Sequence, residues 1–229
     1  MPFLFYDWTM ILLIPGMIVS LIAQMRVQSS YAKYSKVRAA GGITATEMAQ
    51  QLLYNEGIYD VKVEHVSGNL TDHYDPSNKV LRLSDGVANS NSLAALGIAA
   101  HEAGHAMQKL TGYAPLALRS AVVPVVNIGS SLSTPLFFVG LFMAWQPLVY
   151  LGIALFSLST LFALITLPVE FDASRRAVQM LTEGGYVTGE EEQGVRKVLR
   201  AAALTYVAAA VTSLLTLLRL ILIADRRRR

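Results

Sequence analysis

The sequence predicts a mainly α-helical integral membrane protein, with three to four transmembrane helices and a small α+β region outside the lipid. Three observations predict it. Apolar residues make up 53% of the 229 and charged residues only 15%, with a mean hydropathy of +0.43, high for a soluble protein. No charged residue occurs from Ser120 to Val169, a run of fifty, enough for two crossings of about 20 residues each. Residues 26–118, in contrast, carry the caps, alternations and turn residues of a globular region.

Taken in order, residues 8–25 form an uncharged apolar stretch. No basic segment precedes it and no small-residue cleavage site comes after it, so it reads as a retained anchor rather than a removed signal. Thr44-Ala45-Thr46-Glu47 has the spacing of a capping box and opens a helix to about Asn55, with Gly57 as its stop. Val61-Lys62-Val63-Glu64 alternates like a strand. Residues 69–74 and 79–83 flank the turn Asp75-Pro76-Ser77-Asn78. Together these predict a small, mostly antiparallel sheet of two or three strands. Residues 93–108 read as one alanine-rich helix, capped by Ser92 or Ser90 and closed by Gly112. Spans are expected at 120–143 and 148–167, joined by Ala144-Trp145-Gln146-Pro147, whose Trp and Pro suit a turn at the bilayer surface. The first of these holds Pro124, Asn127, Ser130, Ser131, Ser133, Thr134 and Pro135 and is expected to pack against protein. Glu170 opens a further helix just after Pro168. Residues 201–218 are again uncharged, but Arg219 interrupts the apolar run at that point, so this last segment either crosses or lies at shallow depth.

The chain therefore divides into an N-terminal anchor (1–25), an α+β region (26–118), a membrane hairpin (119–168), a returning helix (169–200) and a C-terminal membrane helix with a basic tail (201–229). The eleven basic residues next to the spans (Arg26, Lys33, Lys36, Arg38, Lys109, Arg119, Arg175, Arg176, Arg196, Lys197 and Arg200) fall on one side of the membrane if the N-terminus is outside, and that side is expected to be cytoplasmic. The Arg226–Arg229 tail opposes this unless the last segment does not cross. A net charge of +3 calls for no nucleic-acid partner, because the basic residues gather at membrane edges. The absence of Cys excludes disulfides and cysteine-ligated zinc.

The most informative motif is His101-Glu102-Ala103-Gly104-His105. On a helix, residues four apart share a face, so both imidazoles can reach one ion. Glu102 then stands beside that ion, where it can take a proton from activated water. Gly104, costly in mid-helix, points to tight packing against a neighbour. Two His leave such a site one protein ligand short, and Glu170 is the carboxylate that the hairpin brings back. Asp172 is placed to pair with Arg176 at i,i+4. Glu183 and Glu190 to Glu192 read as solvated charges. His65 and His73 read first as strand-surface residues, although Asp72, His73 and Tyr74 could line an edge strand that takes an extended peptide.

The runs Leu70-Thr71-Asp72-His73-Tyr74-Asp75-Pro76, Leu81-Arg82-Leu83-Ser84, Ala99 to Ala106 around the two His, and Pro168-Val169-Glu170-Phe171-Asp172-Ala173-Ser174 resemble the bacterial membrane neutral zinc metallopeptidases, the YugP-like family. The resemblance covers nearly the whole chain. More widely, the chain is similar to the HtpX-type gluzincin membrane proteases, which also place a membrane hairpin between the His-Glu-x-x-His helix and a later Glu ligand. The resemblance implies a zincin-like catalytic region, one Zn2+ per chain held by His101, His105 and Glu170, and a multi-pass protein of the cell membrane acting on peptide or protein substrates. The wider group carries Asp four residues after the ligand Glu, supporting a metal-bound His. Here that position is Ser174, which can bond an imidazole but supplies no charge. Tyr206 and Arg200 are candidates to stabilise the transition state, against a plain role as interface anchors. An intramembrane protease would need the motif inside a span, and residues 93–100 are too short an apolar run. A zinc transporter would need ligands within 120–169, where there is no His, Asp or Glu. A catalytically inactive zinc-binding scaffold is the remaining alternative; oligomeric state is not readable.

Overall fold

The computed structural model describes residues 8–226. Six α-helices and three strands succeed one another: α1 (Leu13–Tyr34), α2 (Ala45–Asn55), β1 (Lys62–Val66), β2 (His73–Asp75), β3 (Val80–Ser84), α3 (Leu93–Leu110), α4 (Ala114–Phe142), α5 (Gln146–Glu183) and α6 (Glu190–Arg226). A 3-10 turn, Trp8–Leu12, leads into α1. The chain forms two units. One takes the residues up to Ala23, Leu118–Leu167 and those from Thr205 on; the other takes Gln24–Ala117 and Pro168–Leu204. Helices α1, α4, α5 and α6 contribute residues to both.

Among the described residues, four helices are long and apolar enough to cross a membrane: residues 8–34, α4, α5 and α6. The expected turn is present. Residues 143–145 join α4 to α5, Ala144 takes the left-handed conformation (φ 52°), and Trp145 N–H closes on Gly140 O at 2.9 Å. Glycines let these helices approach: a Cβ on Gly152 would stand 2.7 Å from Phe137 N, and one on Gly140 2.6 Å from Val149 N. The last segment has the length and composition to cross and packs beside the first. Arg219 Nε bonds Thr9 Oγ1 at 3.3 Å, Ser20 and Thr212 hydroxyls meet at 3.3 Å, and the Arg226 guanidinium lies over the Trp8 ring. Thus α6 runs antiparallel beside residues 8–20. Of the basic tail, Arg227 to Arg229 lie outside the described residues.

The polar residues of α4 differ from expectation. Ser133 is buried, but Asn127, Ser130, Ser131 and Thr134 are exposed. Ser130 and Ser131 bond back to Asn127 O (3.2 Å) and Ile128 O (2.8 Å) of their own helix. A hydroxyl satisfied this way needs no neighbouring protein.

The second unit builds the α+β region. The Thr44 capping box is formed in full, and Gly57 (φ 74°) ends α2. The sheet order is β1-β3-β2. Its longer pair, β1 with β3, is parallel over five residues; only β2 with β3 is antiparallel. The expected mostly antiparallel sheet is thus corrected. Two reversals separate β1 from β3, so they run the same way, and β3 takes the middle. Residues 69–72 are not strand: Gly68 (φ 121°) and Leu70 (φ 54°) turn the chain there. At the second reversal the Asn78 side chain and N–H, then Arg82 and the Ser77 N–H, hold the pKa of the Asp75 carboxyl down to about 2, so these turn bonds survive to a lower pH than an ordinary carboxylate would allow. Helix α3 starts at Ser92, whose Oγ accepts from Ala95 N–H, and Leu93 N–H bonds Val37 O. Its Leu93, Leu96, Ala99, Ala100 and Ala103 are buried in one core with α2, β3, the end of α5 and the start of α6.

A second correction concerns Pro168. The sequence suggests a new helix after it, yet α5 is continuous through Pro168 for 38 residues. A proline forfeits one backbone bond. Losing that bond costs less than unwinding a segment that must satisfy its own backbone.

Candidate metal centre

Helical spacing on α3 brings His101 and His105 together, with ring centroids 4.7 Å apart and nearly perpendicular. Helix α5 supplies Glu170, 2% exposed, whose Oε2 lies 3.2 Å from His101 Nε2 and 3.8 Å from His105 Nε2. These three donor atoms lie within 4.8 Å of one another. Ligand bonds of about 2.0–2.2 Å in a tetrahedron put donors roughly 3.3–3.5 Å apart, so the cluster has the right size for one small cation. Burying a carboxylate this deeply is costly unless positive charge meets it. Burial, then the adjacent His101, outweigh Glu102 and Glu170 and hold the His105 imidazole below its ordinary pKa. It is therefore neutral, the form that binds metal.

The approach of α3 and α5 depends on Gly104. A Cβ there would stand 2.6 Å from Ala173 O, so packing explains the glycine. The outer ring nitrogens are also engaged. Ser174 Oγ lies 3.2 Å from His101 Nδ1, and Gln108 Oε1 lies 3.0 Å from His105 Nδ1. Gln108 Nε2 donates to Val169 O at 2.8 Å and to Asp172 Oδ2 at 3.0 Å. Asp172 does meet Arg176, at 2.6 Å, and also Arg175. Burial pushes the Asp172 carboxyl up, but the bonds from Gln108, Arg176 and Arg175 outweigh it and leave the carboxyl below its usual range.

Glu102 stands outside the three-donor cluster. Its Oε2 accepts the backbone N–H of Tyr74 at 2.9 Å, which ties it to β2, an edge of the sheet.

A family described as “Putative neutral zinc metallopeptidase” matches residues 9–225. The chain belongs to this family. The chain is also 50% identical over 205 residues to “Putative membrane protease YugP” of Bacillus subtilis (strain 168), an alignment covering 90% of this chain and 91% of that one. No solved structure matches the chain. Two imidazole nitrogens and one carboxylate oxygen, all borderline or hard donors, suit the zinc that the family description names.

Within this zinc metallopeptidase framework the other expected residues are placed unevenly. Asp72 precedes β2 and its carboxylate bonds Ser84 N–H (2.7 Å) and Oγ (2.9 Å). His73 lies in β2, exposed, with Nδ1 against Thr71 O and Nε2 against Arg82. His65 pairs with Asp85 at 2.6 Å on the surface. Arg200 is exposed and Tyr206 half-buried on α6; six positions apart, they point about 120° from each other around the helix. Gln108 escaped the sequence reading. Its signal was position: 101, 105 and 108 share one helical face, and a polar residue at that spacing among alanines was buried completely.

Proposed function

We propose that the chain is a membrane-bound zinc metalloendopeptidase. The observation that carries this reading is the convergence of His101, His105 and Glu170 beside a Glu102 carboxylate held by the edge strand. His101, His105 and Glu170 would hold the ion. Bound there, zinc supplies Lewis-acid activation of water and of the scissile carbonyl. Glu102 takes the proton of the attacking water and later delivers it to the leaving amine. The Tyr74 N–H steadies one oxygen of that carboxylate, leaving the other for proton transfer. An extended peptide lies along β2 through backbone bonds, and Arg200 or Tyr206 is a candidate donor to the carbonyl oxygen. Flexible or unfolded chains near the bilayer are the substrates this edge admits.

The test uses the full chain in detergent, with metal content measured alongside cleavage of unfolded casein. Cleavage should stop on chelation and return with zinc. Zinc without any cleavage would establish the inactive scaffold; cleavage indifferent to chelation would remove the metal mechanism.

We further propose that the α+β region faces the cytoplasm and the N-terminus lies outside. Eleven basic residues near the spans support this, against Arg226, which ends α6 over the Trp8 ring. The chain has no Cys and Ser77 is exposed, so Ser77→Cys reports directly. It should resist a membrane-impermeant thiol reagent in intact cells and react after lysis. Labelling in intact cells would invert the topology.

A further inference from the structure

We propose that Gln108 and Asp172 form a positioning relay that gives carboxylate support to His105 rather than to His101. The relay presupposes the zinc site proposed for His101, His105 and Glu170, and concerns how that site is held.

The donor and acceptor capacity of each atom sets the direction of the bonds. Val169 O is a carbonyl and Asp172 is a hydrogen-bonded carboxylate, so both accept only. They lie 2.8 and 3.0 Å from Gln108 Nε2. The NH2 end of the amide must therefore face them, and Oε1 must face His105. An amide oxygen also accepts only, so at 3.0 Å the His105 proton sits on Nδ1. The opposite tautomer would set two acceptors against each other around a side chain that is 0% exposed, which is costly. Nε2 is then left with its lone pair on the side of Glu170.

Donors and acceptors alternate along the whole line. Arg176 donates to Asp172, Gln108 donates to Asp172, and His105 donates to Gln108. Arg176 is itself placed over the Tyr113 ring. Each bond polarises the next, so the Asp172 charge reaches the imidazole through a neutral amide. Support of this kind fixes ring orientation and raises ligand basicity. At His101 Nδ1 the partner is the Ser174 hydroxyl at 3.2 Å, which can donate or accept and so selects no tautomer. The two histidines are unequal at Nδ1: an acceptor-only amide fixes the proton there on His105, whereas at His101 the hydroxyl leaves the choice to Nε2, 3.2 Å from Glu170 Oε2.

The experiment measures zinc affinity by chelator competition on the full chain in detergent, together with ring-nitrogen NMR of 15N-histidine-labelled metal-free protein, the His105 signal being identified by its loss in His105→Asn. Metal-free wild type should show His105 protonated on Nδ1, and Gln108→Met should lose that preference. Gln108→Met and Asp172→Asn should each weaken zinc binding about 10- to 100-fold. The double variant should be no weaker than the worse single one, because the charge acts through the amide. Ser174→Ala should cost less than Gln108→Met. Thermal unfolding of the metal-free variants checks that the fold persists; the wild-type tautomer needs no variant and judges the relay even if one fails to fold. His105 protonated on Nε2, affinities within about twofold of wild type, additive losses, or a larger loss in Ser174→Ala would each overturn the relay. Absence of zinc binding in wild type would overturn the zinc reading itself, and the tautomer would still decide whether the relay exists.

Discussion

Replacing Glu102 by Gln should leave zinc bound and reduce peptide cleavage by about two to four orders of magnitude. The amide keeps the shape of the side chain and can still accept the Tyr74 N–H, now made at 2.9 Å to Oε2. What it cannot do is take a proton from water. Binding and chemistry therefore separate in this one variant: metal analysis should match wild type while turnover falls. Cleavage at the wild-type rate would remove Glu102 from the mechanism. Loss of zinc in Glu102→Gln would make the residue a ligand or a structural support for one.

The second large effect concerns the ligands. One zinc per chain is expected, and His101→Ala, His105→Ala and Glu170→Ala should each abolish stoichiometric binding and cleavage together. Glu170 is the sharpest of the three. It lies 69 residues beyond His101 in sequence yet 3.2 Å from it in space, so a surface role cannot account for its loss. Elemental analysis of the purified variants decides. Full zinc retention in Glu170→Ala would place the third ligand elsewhere.

Much of this arrangement was legible in the sequence because it is encoded locally. The Thr44 capping box, the Gly57 stop, the Ser92 cap and the i,i+4 histidines each arise from the geometry of a single turn, and each is where the residues put it. Apolar length identified three of the four membrane-sized helices and left the fourth open where Arg219 interrupts it. The sheet was less legible for a physical reason: alternation in Val61 to Glu64 tells which face a side chain takes but not the direction of the neighbouring strand. Pro168 misled because a proline weighs against a helix locally, while the continuity of α5 is set by the segments on both sides. The serines of α4 misled because their polarity is cancelled by bonds within the helix, which hydropathy does not register. Gln108 was passed over because the chemistry of a histidine pair directs attention to acids and imidazoles, whereas the partner that completes it here is neutral.

The turn of α5 from Glu170 to Ser174 holds the third donor atom, the Asp172 carboxylate and the hydroxyl against His101, and the same turn offers the Ala173 carbonyl against which Gly104 packs. Such crowding has a consequence for how the gene can change. One inserted or deleted codon within Glu170–Ser174 would turn the groups on one side of it by about 100° relative to those on the other, so the four could no longer face α3 together. The loop from Ser67 to Asp72 carries no such phase, and a length change there would be absorbed before β2 begins. Variation in length among members of this lineage should therefore be tolerated in that loop and purged from the α5 turn, whatever substitutions either segment accepts.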